Sequence, residues 1–126
     1  SSDLMRLEAV KKVATWLQDN YPHLPLRINT NGLANIVHDK NVLKELAGLI
    51  DAISISLNAS TPQQYQKVSQ SQHGEEAFRA VIEFIKEAKQ YIPIVQVSVV
   101  NYQGVNIKKC RDIAVKLNVE FKLRDF

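Results

Sequence analysis

A single cysteine, Cys110, stands among the 126 residues, so no internal disulfide can form and no thiolate metal site can be assembled from this chain alone. A reducing, cytoplasmic setting is the expectation that follows. Glycine is scarce as well, four residues in all, too few in any one loop to cradle a phosphate. No apolar run approaches the roughly 20 residues of a membrane helix and no signal-peptide core opens the chain, so neither a membrane partner nor export is expected. Charge of one sign is also lacking. Sixteen Lys and Arg against thirteen Asp and Glu leave +3, spread along helices without an aromatic-studded basic patch, and nucleic acid is not an expected partner.

The usual catalytic groupings are missing too. His23, His38 and His73 fall in predicted loops with no spacing that pairs them with Cys110 or a serine, and read as surface histidines. Asp51 and Asp125 lie far apart in the chain, one at a strand start and one near the end, which gives no support to paired-carboxylate chemistry. Cys110 fits the apolar stripe of its helix and reads as core.

What is present is a repeated strand and helix pattern in a chain with 45% hydrophobic residues, enough for one globular domain with a real core, taken as residues 1–126. Leu4, Leu7, Val10, Ala14 and Leu17 predict a helix over 4–19, and a strand follows at 24–30. Asn31 and Gly32 make a turn dipeptide, and Val42, Leu43, Leu46, Leu49 and Ile50 give a second helical stripe before a strand at 51–58. Thr61, Pro62 and Gln64 carry the signature of a capped helix start. Ala77, Phe78, Val81, Phe84, Ile85 and Ala88 then line one face of a long helix, followed by a strand at 94–100. Asn106 is placed to cap a helix through Cys110 and Ala114, and the last strand falls at 119–124.

The strands alternate. Ile53, Ile55 and Leu57 stand against Ser54, Ser56 and Asn58; Leu26, Ile28 and Thr30 against Arg27, Asn29 and Asn31; Val95, Val97 and Val99 against Ile94, Gln96 and Ser98; Phe121 and Leu123 against Glu120, Lys122 and Arg124. Parallel strands of a doubly wound sheet are apolar on both faces, whereas these have one dry and one polar face. The order predicts an α/β fold of about four neighbouring parallel strands with helices on one side, a TIM-barrel-like partial (β/α) barrel. Ligands of such sheets sit outside the carboxyl ends of the strands, here Thr30-Asn31-Gly32, Ser56-Leu57-Asn58 and Val100-Asn101. Their amides and hydroxyls suit a ribose, an amino-acid end or a purine edge. Each is equally readable as a turn or cap residue.

The segments LRINTNG at 26–32, IDAISISLNA at 50–59 with Tyr65 following, VSVVN at 97–101 and FKLRDF at 121–126 resemble strands three to six of a radical S-adenosylmethionine (radical SAM) enzyme, and are most similar to the radical SAM proteins associated with TatD-type hydrolases. The resemblance implies the C-terminal two-thirds of a six-stranded partial barrel. Its parent would cleave S-adenosylmethionine reductively at a [4Fe–4S] cluster, with a TatD-type hydrolase as a partner by family association and the substrate unassigned. It further implies that Thr30, Asn31, Gly32, Ser54, Ser56, Asn58 and Asn101 line the cofactor side. Strand alternation alone, apart from the resemblance, points Lys122 and Arg124 into the barrel as positive charge for a carboxylate. The family's C-x-x-x-C-x-x-C loop has no counterpart, and Ser1, Ser2 and Asp3 do not match its Gly-Glu-Pro segment, so this chain alone is expected to be catalytically inert. Two alternatives stay open: a non-catalytic nucleotide-binding or protein-interaction module of half-barrel fold, and a structural unit that pairs with a second copy, as a homodimer, through its exposed sheet edge.

Overall fold

The computed structural model describes residues 6–32, 41–69 and 75–125. Its elements are α1 (Leu7–Asn20), β1 (Arg27–Thr30), α2 (Val42–Leu46), β2 (Ala52–Ser56), α3 (Pro62–Ser69), α4 (Glu75–Tyr91), β3 (Ile94–Val100), α5 (Ile107–Leu117) and β4 (Glu120–Arg124). The strands form one sheet in the order β1-β2-β3-β4, every neighbouring pair parallel. This is the α/β partial barrel that the alternation predicts. Strands that succeed one another in sequence are neighbours in the sheet, as helical crossovers of a single sense require.

One face of the sheet is apolar and carries the helices. Ile28 of β1, Ile53 and Ile55 of β2, and Val95, Val97 and Val99 of β3 join a single buried cluster with Leu7 of α1, Leu43 and Leu46 of α2, Phe84 and Ile85 of α4 and Cys110 and Ala114 of α5. The buried positions of α4 are Ala77, Phe78, Val81, Phe84, Ile85 and Ala88, the same six that its periodicity marks. α1 lies beside α2, held by the Lys11 ammonium 3.0 Å from Glu45 and by Gln18 Nε2 donating to the Gly48 carbonyl at 2.9 Å. Val13 and Trp16 face solvent elsewhere on α1, and the Trp16 ring meets Tyr21 with centroids 5.9 Å apart.

Local chemistry sets several boundaries. Asn41 accepts from the Leu43 amide and Asn106 from the Lys109 amide, which caps α2 and α5. Thr61 Oγ1 accepts from the Gln64 amide, and Gln64 Oε1 in turn accepts from the Ser60 amide, one residue before the position that a standard capping box uses. β1 begins later than its apolar pattern suggests. The Leu26 amide donates to Asp51 Oδ2 at 2.7 Å, and the Leu26 carbonyl accepts from the Asp51 and Ala52 amides, so the Asp51 side chain and the backbone together fix this entry. α2 ends at Leu46, where the next residue, Ala47, turns to ψ 131° and Gly48 follows at φ +81°; Leu49 lies in the turn and Ile50 beyond it.

Candidate functional site

The face opposite the helices presents the polar half of each strand, and the parallel register sorts it into rows. Arg27 pairs with Ala52 and Ile94 in the first row, and Asn29 with Ser54, Gln96 and Glu120 in the second. Ser56, Ser98 and Lys122 form the third, while Val100 and Arg124 lie at the carboxyl edge. In a parallel sheet the strands are about 4.8 Å apart, and residues two apart in one strand are about 6.6 Å apart. The face thus offers a polar patch four strands wide in its second row and three in its third, with Arg27 one row below at the β1 edge. The helical residues described in the common core cluster with Ile28, Ile53, Ile55, Val95, Val97 and Val99, the strand residues of the other face.

The centre of the patch is recessed and internally bonded. Ser54, Gln96 and Ser98 are 1%, 6% and 4% exposed. Gln96 Nε2 donates to Ser54 Oγ at 3.2 Å, and Arg27 Nη1 donates to Gln96 Oε1 over a longer 3.5 Å. That chain of bonds orients the Gln96 amide and turns the guanidinium of the edge strand inward over the sheet. Ser56, half-buried, is level with Ser98, nearer the strand ends.

Residues named from the sequence divide between two sides. Ser54, buried, and Ser56, half-buried, lie on the polar face, and Asn101 is exposed in the loop after β3, its backbone amide donating to the Arg124 carbonyl at 2.8 Å. Asn31 is half-buried just past β1. Thr30 is 1% exposed, shares the register of Ile55 on the helix side, and its hydroxyl accepts from the Gly32 amide at 3.2 Å. Gly32 is buried at φ +80°, where a Cβ would come within 3.2 Å of Ile55 and 3.3 Å of Val81. These two residues close the turn against the core and do not front the polar face. Asn58, at φ +55°, accepts from the Val100 amide at 2.8 Å and ties the ends of β2 and β3 together. Gln96, Ser98, Asn29 and Arg27 belong to the patch although the strand ends did not point to them; the period-2 alternation did.

Cys110 is fully buried in α5, and burial pushes its thiol from the ordinary 9.0 up to about 11. Among the described residues no cluster of His, Cys, Asp or Glu is placed to hold a metal ion. The side chains of this chain therefore do not fit a cysteine-held iron–sulfur cluster, which needs several thiolates at one place. His23 is exposed, and His38 and His73 lie outside the described residues. No helix of the described residues is long and apolar enough to cross a membrane. A cleft of about 210 Å³ opens at the amino ends of β3 and β4, between Pro93, Ile94, Asn118 and Glu120, at the opposite end of the sheet from Ser56 and Val100. No protein-family model matches the chain, and neither does any curated protein.

Proposed function

We propose that the polar face is a ligand surface for S-adenosylmethionine, in a partial barrel of the radical SAM kind. The observation that carries this reading is the recessed group of Ser54, Gln96 and Ser98 on the polar side of an all-parallel sheet, opposite the described helices, with Ser56 leading to the strand ends. In β/α folds polar ligands are received at the carboxyl ends of the strands, toward which Ser56 and Ser98 lie. Hydroxyls and a bonded amide match ribose hydroxyls and the amino-acid end of the ligand, which need neutral donors and acceptors at fixed places. The sequence segments that resemble the family are the strands that build this face. A cluster would have to be held by residues other than those of this chain, and no step is assigned to one.

The test is calorimetric titration of S-adenosylmethionine into the chain. Saturable binding is expected, weakened about fivefold by Ser56→Ala, since one hydrogen bond contributes roughly 1 kcal/mol. A well-folded chain that takes up no S-adenosylmethionine overturns the proposal. A second reading, a nucleotide-binding or interaction module without chemistry, is favoured by the presence of one cysteine only, packed in the core. Adenosine separates the two. Equal affinity for adenosine and S-adenosylmethionine supports the plain module, and a clear preference for the methionyl ligand supports the cofactor reading.

A further inference from the structure

β4 places two cations at the carboxyl end of the polar face, in the alternation that points away from the helices. Register sets Lys122 beside Ser98 and Arg124 beside Val100, and Ser56 continues the Lys122 row across β2. Lys122 is exposed and Arg124 half-buried, and among the described residues no ion pair or side-chain hydrogen bond reaches either of them. The other charged groups near them do not neutralise the pair. Glu120 lies one row down, in register with Gln96, and Arg27 is engaged by Gln96 on the far side of the sheet. Asp125 follows Arg124 in the opposite alternation, and Asp51 is at the other end of the strands, holding the Leu26 amide. Two cations without a partner among the described residues thus stand next to a recessed serine.

We infer that Ser98, Lys122 and Arg124 form an oxyanion subsite, which takes the carboxylate or phosphate group of a small anionic ligand. This deepens the ligand-surface reading above and names the class of substrate that would lie beside the serine row. Lysine and arginine supply charge, and the Ser98 hydroxyl supplies a short directional donor, the combination that makes hydrogen bonds to oxyanions strong. Ser56 is one strand further, about 4.8 Å, and continues the row toward the uncharged part of the ligand. A lysine on an edge strand also serves to discourage pairing with another sheet. That role needs neither Arg124 nor Ser98, so the two explanations part on those residues.

The probes are inorganic phosphate and succinate, each titrated at low ionic strength into the full chain while amide shifts are followed by NMR. Saturable shifts centred on residues 98 and 122–124 are expected with at least one probe, and the one that binds tells phosphate from carboxylate. Lys122→Gln should weaken binding about tenfold or more, the loss of a charged hydrogen-bond partner, and Ser98→Ala about fivefold. Lys122→Arg should retain it, which keeps the result readable if either other variant fails to fold. Lys116→Gln, on helix α5, should change it less than about twofold. Absence of saturation with both probes, or an equal loss from Lys116→Gln, overturns the inference. S-adenosylmethionine is titrated into the same samples. Oxyanion binding without S-adenosylmethionine binding removes the cofactor reading alone, and the reverse removes only the oxyanion subsite.

Discussion

Replacing Gly32 by alanine separates its role in packing from a role in ligand contact, because two independent costs meet at this residue. The first is conformational. At φ +80° an L side chain is disfavoured, by about 1–2 kcal/mol. The second is steric. The new Cβ would sit 3.2 Å from Ile55 Cγ2 and 3.3 Å from both Val81 methyls, and both residues are fully buried, with no solvent side to move into. Forcing an extra methyl into such a place costs about 1–3 kcal/mol. The sum is about 2–5 kcal/mol, or a fall in Tm on the order of 10 °C for a domain of this size. Gly48→Ala is the internal control, since Gly48 has nearly the same φ, +81°, and nothing within 4 Å of its Cβ position. It should show the conformational cost alone. Urea unfolding of the three proteins, read by far-ultraviolet circular dichroism, gives the difference directly. If Gly32→Ala costs no more than Gly48→Ala, the turn is not packed as described, and the assignment of Gly32 to the core side is wrong.

Asn58→Ala removes the acceptor of the Val100 amide and leaves alanine at φ +55°, so it should lower stability by about 1–3 kcal/mol in the same denaturation assay, with or without ligand. Asn58→Gly, which relieves the backbone but not the lost bond, should recover part of that. Cys110 should resist alkylation in the folded chain near neutral pH and react once urea unfolds it. Its thiol is raised in the folded state, so its contribution to stability is full below 9.0 and lost as pH rises from there toward about 11; Cys110→Ala should flatten that part of the pH profile.

The face that each strand residue occupies was legible because alternation is local. Ile53 and Ile55 against Ser54 and Ser56 state it within four residues, and the structure keeps that division on all four strands. The same pattern already set Thr30 with Leu26 and Ile28 on the dry side. The family likeness, which works by strand ends, instead drew Thr30 and Gly32 toward the cofactor and passed over Gln96 and Ser98. Where the two kinds of sign conflicted, the local one agrees with the buried hydroxyl of Thr30 and its bond to Gly32. Asn58 was ambiguous for a different reason. An asparagine at a strand end fits a ligand contact and a backbone tie equally well, and only the position of the Val100 amide, 42 residues away, decides between them.

The rows across the sheet were not legible at all, and on them the site depends. Alternation fixes which face a residue takes but not the offset between strands, and a slip of two residues would preserve every face while moving Lys122 level with Gln96 or Val100. The offset comes from contacts that are distant in sequence, such as the Asp51 carboxylate on the Leu26 amide and the Asn58 amide oxygen on Val100. The first of these locks β2 to β1 at their starts, and the second locks β2 to β3 at their ends. With both in place Gln96 lies level with Ser54, donating to its hydroxyl while accepting from Arg27. Loosening either tie should therefore disturb ligand binding on the polar face even though neither residue lies on it.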